Sequence, residues 1–332
     1  MRNVLWNTGQ RRLRALWRIL VVLVVFLILE LGLELLLGVA FSSTLSEQLG
    51  ASRAGDRTAL SAAIQRLPAF NLASNFLGLV SVYVSTWLGG RLLDRRRFTS
   101  FGYHVGPSWW RDFLAGLVIG AVLMAVIFAV EWAAGWLQVT GTFCAVQGTD
   151  FGTAMLVSVL VFIMVGFREE QLFRGYLVRN GAEGLSFKAV RARAAVVIAW
   201  ASFAILFGCA HLLNPNASLV STVDLVLAGL FLGLPYILTG ELALGIGLHI
   251  TWNLFEGNVF GFPVSGTDAG PTLIAIRQAG PKPWTGGAFG PEAGLIGVLA
   301  IVLGSALILL WVRRTRGRIG LCTELARAPE AM

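Results

Sequence analysis

Charge is what this sequence has least of. Of 332 residues only 13% are charged while 56% are hydrophobic, and the mean hydropathy is +0.74. A soluble domain of this size carries about 25% charged residues, so lipid rather than water must cover much of the surface. Cysteine is equally scarce. Cys144, Cys209 and Cys322 are far apart and odd in number, which excludes a disulfide framework and a CxxC metal site. No HExxH segment is present, so the strongest sequence signature of a zinc peptidase is missing. Histidine occurs only three times, as His104, His211 and His249.

What is abundant is long apolar runs. A membrane-spanning helix needs roughly 20 predominantly apolar residues. About eight segments qualify: Trp17 to Phe41, Phe70 to Gly90, Phe113 to Val139, Thr153 to Val178, Ala194 to Leu213, Leu219 to Thr239, Leu242 to Phe260 and Ala293 to Val312. The fold class expected is all-α, a polytopic membrane helix bundle. The basic N-terminal tail leads into a run too long for a signal-peptide core and containing Glu30 and Glu34, so the first run reads as a retained helix. The connections Ser42–Leu67 and Gly261–Glu292 carry Gly, Pro, Ser and Thr and read as loops or surface helices.

The net charge of +8 and pI near 10.2 come from Arg clusters between apolar runs, not from one basic face. No nucleic-acid-binding module accompanies them, so nucleic acid is not an expected partner; anionic membrane lipid is. Arg2, Arg11, Arg12, Arg14 and Arg18 precede the first span, and Arg91, Arg95, Arg96, Arg97 and Arg111 follow the second. Arg179, Lys188, Arg191 and Arg193 follow the fourth, and Arg313, Arg314, Arg316, Arg318 and Arg327 the last. The segments Thr140–Gly152 and Asn214–Ser218 have no Lys or Arg. The positive-inside rule then places both termini in the cytoplasm of a protein integral to a plasma (inner) membrane. The first loop, with Arg53, Arg57 and Arg66 beside Glu47 and Asp56, fits this pattern least well.

An ionisable side chain inside the bilayer costs about 2.5–3.5 kcal/mol on insertion scales, so each asks for a reason. The densest group ends the fourth span: Arg168, Glu169, Glu170, Gln171, Leu172, Phe173, Arg174, Gly175. Glu170 and Arg174 are i, i+4 neighbours that can pair, while Glu169 points about 100° away. Read alone, this group is equally an interfacial salt bridge. Phe207 and His211 lie near the end of the fifth span, just before Asn214-Pro215. In the seventh, His249 and Asn253 share one helical face, and Glu256 at i+7 extends it. A carboxylate or imidazole can take a proton from water, and His and Asn can donate to an oxyanion. Glu plus two His is equally a ligand set for a zinc that activates the water itself.

These segments resemble the CAAX-protease and bacteriocin-processing intramembrane protease family, also called the CPBP or Abi family. Its members carry Glu-Glu-x-x-x-Arg, Phe-x-x-x-His and His-x-x-x-Asn or Asp motifs on membrane helices. Here the motifs stand in that order as Glu169–Arg174, Phe207–His211 and His249–Asn253. The resemblance covers roughly 153–260, a catalytic core between an N-terminal part, 1–152, and a C-terminal part, 261–332. It implies an intramembrane endopeptidase acting on a membrane-associated peptide or protein. Glu169 and His211 would activate water, His249 and Asn253 would bind the oxyanion, and Glu170 and Arg174 would be supporting residues that fix the helix and the catalytic Glu169. Family proteins are described both as glutamate-type and as metal-dependent. The first is favoured, with no cofactor required, because Asn is a poor zinc ligand and a good oxyanion donor; if zinc is present its ligands would be Glu169, His211 and His249. Similar eukaryotic proteins trim prenylated CAAX termini, but nothing in this sequence indicates a prenyl substrate.

A proton-coupled transporter using the same groups and a non-catalytic membrane scaffold are the alternatives, although no internal repeat of the transporter kind is visible. One geometrical difficulty stands out. Counted from the start of its span at Ala194, His211 lies about 25 Å deep, whereas Glu169 and His249 lie roughly 10–14 Å from the cytoplasmic ends of theirs. If Ala194–Ala199 is still at the interface, with Trp200 in the aromatic belt, His211 comes to about 16 Å, and Asn214-Pro215 breaks the helix inside a protein-lined cavity. Glu30, Glu34, Glu131 and Asp224 also fall in apolar runs, with no partner assignable from sequence.

Overall fold

The computed structural model describes residues 4–49, 67–145, 149–187, 190–268 and 270–329. Arg2, Arg53, Asp56, Arg57, Arg66 and Lys188, used above for topology, fall outside the described residues.

The chain is mostly helical, a polytopic bundle. After a two-residue ribbon, β1 Trp6–Asn7 with β2 Arg12–Leu13, come α1 Ala15–Ala40 and the short α2 Ser42–Leu49. Next are α3 Pro68–Leu88, prolonged by a π turn to Asp94, and α4 Pro107–Ala133. The fourth long helix begins as α5 Phe151–Glu169, passes through a π segment Glu170–Val178 and ends as α6 Arg179–Leu185. Then follow α7 Ala192–Ala210, α8 Leu219–Thr239, α9 Ala243–Leu254, the short α10 Lys282–Thr285 and α11 Leu295–Arg316. Among the described residues seven helices are long and apolar enough to cross a membrane. Lipid-facing positions are apolar, with Leu31 and Leu35 of α1 about two-thirds exposed, at 67% and 68%.

The eighth run, Leu242–Phe260, differs from expectation. It forms α9, only 12 residues long, continued by a π turn Phe255–Val259. Every side chain from Ala243 to Asn253 is buried. A helix that is apolar on all sides is enclosed by protein or by lipid; here α4, α5 and α8 enclose it. The tightest of these contacts is with α4. A Cβ on Gly116 would stand 2.2 Å from the Leu244 carbonyl oxygen, and one on Gly247 would stand 2.2 Å from that of Phe113. Gly240, at φ +75°, ends α8 in the left-handed conformation and turns the chain back into α9.

Span boundaries also moved. The third run starts at Pro107, an N1-type proline, and ends before Gly135 at φ +73°, so Leu137–Cys144 is not helix but strand β3. It pairs antiparallel with β4 Thr272–Gln278, inside a segment that read as loop or surface helix. The β-branched stretch Thr272, Ile274 and Ile276 was the available signal. At the start of α5 the Asp150 carboxylate accepts from the Gly152 and Thr153 amides at 2.8 and 3.0 Å. Hydrogen bonding from Thr153 and Gly152 holds its pKa below the ordinary aspartate value.

Arginines that read as loop charges form a buried network instead. Arg12, Arg18 and Arg96 are 4%, 1% and 4% exposed. Glu183 on α6 accepts from Arg12 at 2.6 Å, from Arg18 at 2.7 Å and also from Arg96. Asp94 pairs with Arg18, and Asn180 Nδ2 donates to Asp94 at 3.2 Å. Arg96 also donates to the Arg327 carbonyl at 2.7 Å, so the first and last described segments lie at one end of the bundle.

The depth difficulty is resolved by the length of the α5–α6 helix. A Cβ on Gly181 would touch Phe203 and Ala199, so Gly181 is level with the first half of α7. From that level His211 is about 10 residues along α7, and Glu169 is 12 residues back along α5–α6; both lie about 15–18 Å away, on the same side. The first residues of α7 run beside α6 at the termini-bearing end. Of the four unexplained carboxylates, Glu34 accepts from Ser74 at 2.7 Å and Glu131 from Gln278 at 2.8 Å, and Glu30 lies beside the Arg168 guanidinium across Gly78.

Candidate active site

Glu169 is the last α-helical residue of α5 and Glu170 the first of the π segment. Single π turns inside helices recur at functional sites, because the wider turn re-aims neighbouring side chains. Arg174 Nη1 donates to Glu170 Oε1 at 2.8 Å, as the i, i+4 spacing predicts. The same oxygen lies 3.0 Å from His249 Nδ1. Glu170 therefore orients His249 rather than Glu169. Both Glu170 and Arg174 are buried, at 0% and 2% exposure, and Arg174 Nη2 also donates to the Gly229 carbonyl of α8 at 2.9 Å. The pair ties α5, α8 and α9 together through charge-assisted bonds.

A carboxylate already taking a bond from Arg174 can only accept, so His249 Nδ1 carries a proton. His249 Nε2 then faces Glu169 Oε2 at 3.9 Å, an ion-pair separation rather than a hydrogen bond. His211 follows the last turn of α7 and is half-buried. Its Nδ1 lies 2.9 Å from the Phe207 carbonyl oxygen, which fixes the proton on Nδ1 and leaves Nε2 as an acceptor. Phe207 fills the space among these groups. Its ring centroid is 4.9 Å from that of His211 and 6.3 Å from that of His249, and the Arg174 guanidinium carbon stands 4.7 Å over its face.

One cavity of about 250 Å³ is lined by Glu169, His211, His249 and Asn253. Glu170 and Arg174 lie behind its wall. The chain segments that sequence reading treated as an outer loop close the other side. Asn214 Nδ2 donates to the Ser265 carbonyl at 2.9 Å. The Ser265 amide and hydroxyl donate to Glu292 Oε2 at 2.8 and 2.6 Å, while Trp252 Nε1 donates to Glu292 Oε1 at 3.2 Å. Glu292 thus ties the covering loop to the helix that carries His249 and Asn253. Sequence reading missed it; an acidic residue immediately before the last apolar run was the only hint. Glu256 departs from its expected place. The π turn from Phe255 rotates it off the His249 face, and it is buried beside Gly290, outside the cavity lining.

The three residues named for zinc share the cavity, but among the described residues no group of three or more His, Cys, Asp or Glu side chains is arranged to hold a metal ion.

Residues 151–255 match the family model described as type II CAAX prenyl endopeptidase Rce1-like. The matched span carries all three motifs, agrees with the family they resemble and supports, in general terms, an intramembrane protease of the CAAX type. No curated protein and no solved structure matches.

Proposed function

We propose that the protein is an intramembrane endopeptidase that hydrolyses a peptide bond in a membrane-associated peptide or protein. The observation that carries this reading is the convergence of Glu169, His211, His249 and Asn253 on one cavity. Its volume is below the 300–1,000 Å³ usual for small-molecule pockets, and suits a peptide unit with a water.

Glu169, with His211 Nε2 as a second acceptor, holds the water and takes its proton as the oxygen attacks the peptide carbonyl carbon. The oxyanion that forms receives hydrogen bonds from Asn253 Nδ2 and from His249 Nε2–H. For that second bond His249 must be cationic, and it stands between two carboxylates, Glu170 and Glu169. Arg174 balances Glu170, so the imidazole is oriented from behind much as a carboxylate orients the histidine of a serine protease. When the carbon–nitrogen bond breaks, the departing amine takes the proton held on Glu169. The positive-inside rule puts the termini-bearing end, with its arginines, in the cytoplasm of a plasma (inner) membrane.

The test is cleavage of a membrane-embedded peptide by purified protein. Glu169→Gln is expected to lower kcat by about 10²–10⁴-fold, the usual contribution of a positioned general base, while leaving the protein folded. An unchanged rate would remove the reading and favour a transporter or scaffold. Full activity after exhaustive chelation is expected; loss that zinc restores would place a metal on Glu169, His211 and His249.

A further inference from the structure

A capacious surface groove among the described residues has no part in the site. It is about 840 Å³, lies between α4 and α11, and its walls are almost wholly apolar. On α4 the lining positions recur every three or four residues from Pro107 to Ile119, and on α11 from Leu307 to Arg314. The α4 stripe is about 18 Å long, close to the roughly 15 Å hydrocarbon depth of one leaflet. The two helices run antiparallel here, so Arg111 and Arg314 stand together at the termini-bearing end.

Those two guanidiniums lack a full partner. Asp112 is the neighbouring carboxylate, and its oxygens are already taken by Trp311 Nε1 at 3.0 Å and Arg316 Nη2 at 2.7 Å. Arg111 reaches it only at 3.7 Å, with its side chain 47% exposed. No ion pair is formed by Arg314 among the described residues. Trp110 and Trp311 border the same end, where indoles favour the headgroup level.

We infer that this groove is a binding site for an anionic phospholipid of the termini-side leaflet, its phosphate between Arg111 and Arg314 and one acyl chain laid along the α4 stripe. The occupant follows from complementarity: a slot one leaflet long and almost wholly apolar accepts an acyl chain, and the incompletely balanced positive charge at its mouth favours a negative headgroup. An extended peptide would leave its backbone groups unsatisfied against such walls.

Native mass spectrometry of the detergent-purified full chain tests this, titrating phosphatidylglycerol against phosphatidylcholine with the same acyl chains. The wild type is expected to retain phosphatidylglycerol with a preference of about 25-fold, roughly fivefold for each guanidinium. Arg111→Gln with Arg314→Gln is expected to abolish the preference. Leu114→Trp, at a position 58% exposed and therefore harmless to packing, is expected to fill the slot and reduce retention of both lipids. Equal retention by the wild type, an unchanged preference in the double variant, or undiminished retention in Leu114→Trp would each overturn the inference. Displacement of the lipid by millimolar inorganic phosphate would do so too, since it would mean that the site holds phosphate and not a lipid. None of these readouts depends on peptidase activity.

Discussion

At the scale of single residues, the site separates groups that face the cavity from groups that hold them. Asn253 faces it, one turn beyond His249 on α9. In the proposed mechanism it is a neutral donor to the developing oxyanion and behaves like other such donors. Asn253→Ala is expected to lower kcat by about 10²–10³-fold with little change in KM, measured with the same membrane peptide. Glu170 is different in kind. It touches Arg174 and His249 but is not among the cavity-lining residues, so in the proposed mechanism its effect passes through the orientation of the imidazole.

At the scale of elements, the position of α9 decides whether the site exists. This helix carries two of the four cavity residues and rests on α4 at backbone contact distance, because Gly116 and Gly247 present no side chain. The close approach is the membrane-protein form of small-residue helix packing. Gly247→Val would drive a branched side chain into the Phe113 carbonyl. It is expected to push α9 off α4 and reduce activity at least tenfold, with a lower Tm by thermal-shift assay. The conservative Gly247→Ala should lose less of both. A variant as active and as stable as the wild type would show that the crossing is not what sets His249.

At the scale of the molecule, the bundle is closed at its two ends by different means. The end away from the termini carries the β3–β4 ribbon and the loop held by Glu292. The termini-bearing end is locked by Glu183, which satisfies Arg12, Arg18 and Arg96 at once. Removing one carboxylate there leaves three buried cations short of charge. Breaking a buried ion pair costs about 3–5 kcal/mol, so Glu183→Ala is expected to destabilise the fold by at least that amount, read from denaturant unfolding in micelles. Because Glu183 sits on the same continuous helix as Glu169 and Glu170, activity should fall with stability. A fully stable Glu183→Ala protein would mean that solvent or lipid headgroups already screen these arginines.

Composition and hydropathy alone determined that this chain lives in a membrane, because burying so few charges among so many apolar residues leaves no other solvent. The three motifs named the cavity residues, since their spacing on helices is a local property that 3.6 residues per turn makes readable. What the tertiary structure decided was everything that depends on packing partners. Leu242–Phe260 is apolar enough to face lipid, and only the helices around it show that it faces protein. Arg12, Arg18 and Arg96 look like solvated loop charges until Asp94 and Glu183 arrive from distant segments. His211 reaches the level of Glu169 because α7 begins alongside α6, a relation between two helices that no single stretch of sequence contains. Glu292 joins the cavity across 40 residues of intervening chain from Trp252, and long-range hydrogen bonds of that kind have no local periodicity to announce them.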